Sequence, residues 1–164
     1  MEIVSNTSPL VALSGIRELR LLPLLFETVM VPEAVIHEVV HEGVGWDEAR
    51  EIQSSLGNAK WLQPVKAEAN ALLDLLRSKL GAGEAEAIAI AKEMSFPVLL
   101  DDLEARKTAK SLKLEVMGTL GVLARSKGCG VIAAVSPLIE AMKQNGIYYD
   151  NRLIDRFLRD MDEL

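Results

Sequence analysis

The chain has one cysteine, two histidines and no long apolar run, and each shortage excludes a class of protein. A single cysteine, Cys129, can form neither an intrachain disulfide nor a cysteine-rich zinc site. No histidine is adjacent to Cys129, which argues against a nucleophilic cysteine. His37 and His41 are four residues apart, a spacing that suits a metal pair. His37, Glu38 and His41 do match the HExxH pattern, but no third partner lies nearby in the sequence, so we interpret both histidines as surface residues.

Long apolar segments and targeting signals are also missing. Every apolar run is shorter than the ~18 residues that span a bilayer. The first residues enter a strand-like segment directly, with no basic region and no cleavage signal. We therefore expect a cytoplasmic protein with no membrane partner.

Basic residues are fewer than acidic ones: the chain has 18 lysines and arginines and 24 aspartates and glutamates, so its net charge is −6. This balance argues against non-specific binding of nucleic acid through overall charge. It does not exclude a metal-assisted phosphodiesterase, because the acids of such a site add negative charge themselves. Phosphate-binding motifs are missing too: the sequence has no GxGxxG and no lysine-bearing P-loop.

What is present is a globular pattern in which short apolar strands alternate with helices. The chain has 164 residues, 49% of them hydrophobic, which predicts one domain over residues 1–164. Strands separated by helices imply a parallel sheet covered on both faces. The predicted fold class is therefore α/β, a three-layer α/β/α sandwich with a central parallel sheet and a helical C-terminus.

The predicted C-terminal helix, about residues 150–162, carries one apolar stripe. The stripe follows i, i+3, i+4, i+7 spacing and consists of Ile154, Phe157, Leu158 and Met161. It either docks onto a partner, most simply in a homodimer, or packs onto its own domain, and the pattern leaves both open.

Acidic residues occur where the predicted fold places a ligand site. Glu84 begins an alanine-rich helix, and Asp101 and Asp102 directly follow an apolar strand. Strand C-termini and helix N-termini share one edge of an α/β sheet, so these carboxylates should converge and bind a hard divalent cation. Simpler interpretations remain: an acid favours a helix start through the helix dipole, and one aspartate could cap the next helix.

Four further residues are candidates on weaker grounds. Glu38 is an acid on a mostly apolar helix, and Asn6 ends the first strand, where an Asx turn would also explain it. Arg106 and Lys110 form a basic stripe that either makes salt bridges along its helix or contacts a phosphate backbone.

Taken together, the ordered motifs resemble those of the PIN-domain family. The motifs are Asn6-Thr7-Ser8-Pro9-Leu10, Glu38, the segment around Glu84, Asp101-Asp102 and Gly118-Thr119-Leu120-Gly121. The resemblance runs from about residue 2 to about residue 145, and it is carried by order and spacing rather than by any one motif. It implies an α/β/α fold, a metal-dependent ribonuclease activity and, for many members, a toxin role beside an antitoxin.

The resemblance also assigns roles to individual positions. Glu38, Glu84 and Asp102 match acids that hold Mg²⁺ or Mn²⁺, with Asp101 as a substitute for Asp102. Thr119 matches a hydroxyl residue beside the site. Asn6 stands where most members have their first metal-binding aspartate, and a neutral amide is a weaker ligand for a hard cation.

We therefore expect a metal-dependent ribonuclease with Asn6, Glu38, Glu84, Asp102 and Thr119 as catalytic residues. Arg106 and Lys110 would hold the RNA backbone. The partners expected are RNA, an antitoxin protein and a second copy of the chain. The alternative is a weak or inactive PIN-like module that binds nucleic acid or protein.

Overall fold

The computed structural model describes residues 1–43 and 47–164. Its centre is one sheet of five short strands, in which every neighbouring pair is parallel. The strands are β1 Glu2–Ser5, β2 Thr28–Pro32, β3 Leu62–Val65, β4 Val98–Leu99 and β5 Val116–Met117. Their spatial order is β3-β2-β1-β4-β5, so the chain starts in the middle of the sheet and winds outward in both directions.

Ten α-helices are described, together with one π-helical segment, Glu38–Glu42, which continues the third helix. The helices are α1 Thr7–Gly15, α2 Leu21–Leu25, α3 Glu33–His37, α4 Asp47–Asn58, α5 Ala71–Arg77, α6 Ala82–Met94, α7 Leu103–Ser111, α8 Thr119–Gly128, α9 Ser136–Gln144 and α10 Asn151–Asp160.

Both faces of the sheet are buried, because successive strand residues point to opposite sides. Ile3 packs into one apolar cluster with side chains of α1, α8 and α9, whereas Val4 packs into a second with α5, α6 and α7. Leu99 and Val98 divide between the two clusters in the same way. Two helical layers on a parallel sheet confirm the predicted three-layer sandwich.

The sequence predicts one helix from Pro32, which opens it, through His41, but this helix is not continuous. Its α-helical part ends at His37, and the π-helical turn begins at Glu38. Wider turns of this kind occur mostly as single insertions, frequently at functional sites. The sequence also predicts that Gly43 and Gly45 end this helix and that Trp46 begins the next. Gly45 and Trp46 lie, with Val44, outside the described residues.

The C-terminal helix, predicted at about 150–162, runs from Asn151 to Asp160, and the Asp150 side chain caps it by accepting from two backbone N–H groups. Ile154 is buried in the larger cluster, and the other stripe residues pack against that cluster. The stripe therefore covers its own domain, and a homodimer through it stays a prediction. No helix that the structure describes combines the length and the apolar character needed to cross a bilayer.

Candidate active site

The crevice between the ends of β1 and β4 is the point at which the sheet reverses its winding direction. The chain leaves β1 toward β2 on one side and leaves β4 toward β5 on the other. Ligands of open α/β sheets bind outside the strand ends at such a point. Asn6 comes directly after β1, and Asp101 and Asp102 follow shortly after β4. The predicted site residues of both strands therefore meet at this crevice.

Asn6 is buried, with 3% of its surface exposed, between two of the candidate acids. Its Nδ2 donates to Glu84 Oε1 at 3.4 Å. Its Oδ1 is also buried and has no hydrogen-bond partner among the described residues. Because a buried acceptor without a partner is costly, this oxygen is suited to a ligand that is not part of the chain.

Glu38 faces the same space from the start of the π-helical turn. Its Oε2 accepts a hydrogen bond from the Thr7 hydroxyl, which orients the carboxylate. A Cβ at position 83 would lie 2.7 Å from Asn6 Oδ1 and 2.8 Å from Glu38 Oε1. Gly83 therefore lets α6 approach closely enough for both oxygens to lie in front of its backbone.

The two acids of the Glu84-Ala85-Glu86 segment have separate tasks. Glu84, in the first turn of α6, lines the crevice. Glu86 is 8% exposed, pairs with Arg77 at 3.1 Å and accepts from the backbone N–H of Ala34 at 2.9 Å. Glu86 thus ties the start of α3 to α6, and only Glu84 faces the crevice.

Asp101 and Asp102 divide in a similar way. Asp102 is the N-cap of α7, and its Oδ1 accepts from the Ala105 N–H at 2.8 Å. Asp101 accepts from Thr119 twice, from its N–H at 2.7 Å and from its hydroxyl at 2.5 Å. Both aspartates line the crevice, but Asp101 is the one in contact with Thr119. The sequence match that favoured Asp102 over Asp101 as the ligand stays a prediction.

The basic stripe of α7 has one half-buried and one exposed member. Arg106 Nη1 donates to the backbone carbonyl of Leu100 at 2.8 Å and so braces the end of β4. Lys110 is exposed one turn later. Arg106 already has a structural partner, so its predicted role on RNA phosphate is less direct than that of Lys110.

The crevice opens into a cleft of about 640 Å³. It is lined by Thr7, Ser8, Val11, Ala12, Glu84, Asp101, Asp102, Ile147, Tyr148 and Tyr149. Sequence reasoning missed the two tyrosines, which are the only ones in the chain and are consecutive. That pairing was a usable signal, but the resemblance covered residues only to about 145.

Tyr149 lies against the Asp101 side of the cleft. Burial and the negative charge of Asp101 raise the pKa of its phenol, while a hydrogen bond with Thr119 and the positive charge of Arg106 oppose that rise. The raised pKa extends the range in which the hydroxyl stays protonated further into alkaline solution.

A hard divalent cation fits the donors on this side of the sheet. Carboxylate and amide oxygens are the ligands that Mg²⁺ and Mn²⁺ prefer. The unpartnered Asn6 Oδ1 beside Glu38 Oε1 supplies two of them. Within residues 1–43 and 47–164, no three His, Cys, Asp or Glu side chains are grouped closely enough to hold an ion alone. A cation here would therefore use the amide oxygen as well as carboxylates.

Comparisons with known proteins agree with this architecture. The chain is similar in structure to a PilT N-terminus domain protein from the hyperthermophilic archaeon Sulfolobus solfataricus, with a TM-score of 0.50 and 16% identity. The similarity covers 77% of this chain and 93% of the archaeal one. At that identity it supports the fold alone. No curated protein matches the sequence.

A family comparison covers nearly the whole chain. The profile of the family DUF3368, described as a PIN domain, matches residues 2–163. The match includes all the candidate site residues and extends past the two tyrosines. This chain therefore belongs to the PIN-domain family.

Proposed function

We propose that this protein is a metal-dependent ribonuclease that hydrolyses RNA phosphodiester bonds with Mg²⁺ or Mn²⁺. The observation that carries the proposal is the buried, unpartnered Oδ1 of Asn6, set between Glu38 and Glu84 at the switch point of the sheet. Glu84 lines the adjoining cleft together with Asp101 and Asp102. Membership of the PIN family supports a nuclease-like fold, and the oxygen donors support the metal.

The chain's residues would divide the work as follows. Asn6 Oδ1, Glu38 and Glu84 would hold the cation, with Asp101 or Asp102 completing the set from β4. When bound, the cation supplies an activated water and neutralises charge that develops on the phosphate. Thr7 orients Glu38, the Asn6 amide orients Glu84, and Thr119 orients Asp101. Carboxylates fixed in this way need little reorganisation when substrate arrives.

Binding of the RNA backbone would come from the basic side of α7. Lys110 is exposed and can reach a phosphate, whereas Arg106 acts mainly through the end of β4. With a net charge of −6, the protein would depend on the cation and on a few local contacts rather than on its overall field.

The same resemblance supports a toxin role, with an antitoxin protein as partner. Induced expression of the wild type should then arrest growth of the host cell, and expression of the Glu84→Gln variant should not. Equal growth of both strains at equal protein levels would contradict the toxin role but leave the ribonuclease proposal standing.

A second candidate is a PIN-like module that binds RNA or protein without cleaving. Two observations favour it: Asn6 replaces a charged ligand, and both oxygens of Asp101 are already used by Thr119. Such a module would bind its ligand but leave RNA intact at every metal concentration.

Cleavage of a 5′-labelled single-stranded RNA decides between the two candidates. The wild type should cut with Mn²⁺ or Mg²⁺ and not with EDTA, and Glu84→Gln should abolish cutting. Glu104→Gln is the matched control, because Glu104 is an exposed acid of the neighbouring helix that pairs with Lys107. Intact RNA with the wild type, or equal loss in both variants, would contradict the ribonuclease proposal.

A further inference from the structure

Tyr148 is unusual among the aromatic residues of this protein. It is 79% exposed, and among residues 1–43 and 47–164 no other phenylalanine, tyrosine or tryptophan is exposed. Burial of an aromatic ring is favourable because it removes a large apolar surface from water, and the exposed ring of Tyr148 does not gain this free energy. Its neighbour Tyr149 is partly buried against the Asp101 side of the same cleft.

The wall around Tyr148 differs in character from the rest of the cleft. Val11 and Ala12 of α1, together with Ile147, line the cleft with apolar surface, and Glu84 and the two aspartates line it with charge. Val11 and Ile147 also pack against the main core, so this apolar wall is rigidly supported. A ligand that fills the cleft therefore needs a charged part and a flat apolar part.

We propose that Tyr148 is the stacking platform for a nucleobase of single-stranded RNA, beside the phosphate held at the acidic end of the cleft. This inference rests on the proposed function and names the form of its substrate. A nucleotide has the required composition, since its phosphate would meet the cation-binding oxygens and its base would lie on an exposed aromatic ring. Bases stack on tyrosine rings in many single-strand sites, with little dependence on sequence.

The exposed ring of Tyr148 also predicts whether the bound RNA is single-stranded or duplex. A base within a duplex is already stacked and paired, so its faces are closed to a protein ring. The cleft should therefore take unpaired RNA and reject a duplex of the same sequence. It should also tolerate many sequences, because every base has a π-face.

Three variants separate stacking from simple burial. Tyr148→Phe keeps the ring, Tyr148→Leu keeps apolar bulk without a ring, and Tyr148→Ala removes both. Because the residue is largely exposed, all three should keep the wild-type melting temperature. Leu24→Ala is the control, since Leu24 is 57% exposed on α2 and does not line the cleft.

The measurement is binding of a fluorescein-labelled single-stranded RNA octamer by anisotropy, with Ca²⁺ in place of Mg²⁺ and the RNA confirmed intact afterwards. Tyr148→Ala and Tyr148→Leu should bind about tenfold more weakly or worse, from the usual contribution of one stacked base. Tyr148→Phe and Leu24→Ala should bind like the wild type. An octamer that is abasic at every position should bind the wild type weakly and lose nothing further in Tyr148→Leu.

Several results would overturn the inference: no RNA binding by the wild type, wild-type affinity in Tyr148→Ala, or a loss in Tyr148→Phe equal to that in Tyr148→Ala. Unchanged RNA binding by Tyr148→Ala together with an altered sedimentation coefficient would place Tyr148 in a protein interface instead.

The cleavage assay tests the nuclease proposal separately from this inference. RNA that is bound through Tyr148 but never cut contradicts the nuclease proposal alone, and RNA that is cut without dependence on Tyr148 contradicts this inference alone.

Discussion

Asp101 receives two hydrogen bonds from Thr119, one from the backbone N–H at 2.7 Å and one from the hydroxyl at 2.5 Å. Thr119 is the first residue of α8, so the carboxylate lies at the N-terminal end of that helix, where the helix dipole favours negative charge. The bonds join the end of β4 to the helix that follows β5. They hold Asp101 in one orientation toward the cleft.

Asp101 and Asp102 can be distinguished by conservative substitution. Asparagine caps a helix as well as aspartate does, so Asp102→Asn should leave stability within about 0.5 kcal/mol. Asp101→Asn should lower Mn²⁺ affinity and RNA cleavage about tenfold or more, because it removes the charge that faces the cleft. Metal titration and cleavage rates of both variants test this. A larger loss in Asp102→Asn would show that the helix cap, rather than Asp101, is the ligand.

Asn6→Asp restores the acid found in most PIN domains and should tighten metal binding and speed any cleavage, since a charged oxygen replaces a neutral one. The change also removes the donor to Glu84 and sets like charges together. We therefore expect the metal-free protein to lose about 1 to 3 kcal/mol of unfolding free energy.

Melting with and without millimolar Mn²⁺, beside RNA cleavage, checks the Asn6 prediction. The metal-induced rise in melting temperature should be larger in the variant than in the wild type, because the cation stabilises only the folded state. Tighter metal binding combined with slower cleavage would mean that the Asn6 amide itself positions Glu84 for the reaction.

Gly83→Ala should disturb the site although it adds only one methyl group. The new Cβ would press on Asn6 Oδ1 and Glu38 Oε1, and overpacking of this kind costs about 1 to 3 kcal/mol. Gly57→Ala is the matched control, because a Cβ at Gly57 of α4 meets no atom within 4 Å. It should be neutral or stabilising by up to about 1 kcal/mol. Chemical unfolding and metal titration of both variants test the pair, and equal behaviour would contradict the close approach.

Glu163 links the segment after α10 to the start of α9 and the end of α8. Its carboxylate accepts from the N–H groups of Val135 and Ser136, from the Ser136 hydroxyl and from Lys127 Nζ. Burial would raise the pKa of Glu163, but these bonds outweigh it and lower the pKa from 4.5 to about 2. The stability that this carboxylate contributes is therefore complete above about pH 4.5 and is lost as the pH falls toward 2.

Glu163→Gln tests that contribution. At pH 7 the variant should unfold about 1 to 3 kcal/mol more easily, because bonds to a charged acceptor are replaced by weaker ones. Below pH 4.5 the gap to the wild type should narrow. Urea unfolding between pH 7 and pH 3 measures it, and a gap that is constant over this range would contradict the assigned pKa shift.

Local sequence patterns predict much of the architecture. The alternation of strands and helices predicts a parallel sheet covered on both faces, because each face of a strand must find its own apolar partners. The positions of Glu84 and of the aspartates after β4 predict a common edge, because strand ends and helix starts meet there. The ordered motifs predict the PIN family, and the profile match over residues 2–163 confirms it.

Contacts between residues that are far apart in the sequence could not be predicted from these patterns. Asn6 and Glu84 are 78 residues apart, and nothing near either one in the sequence shows that the amide donates to the acid. The same holds for the bond between Asp101 and Thr119, because Thr119 arrives from the end of another strand. The place of Tyr148 and Tyr149 depends on how the segment before α10 packs against α1.

The sequence by itself therefore determined the layers of this protein, its family and the edge at which its acids collect, because local periodicity and the rules of chain connection suffice for these. Only the tertiary structure decided which oxygens of the acids already accept hydrogen bonds, that the amide oxygen of Asn6 has no partner, and that the ring of Tyr148 is exposed at the cleft. Those facts depend on hydrogen bonds and packing between segments that are far apart along the chain and that meet only in the folded protein.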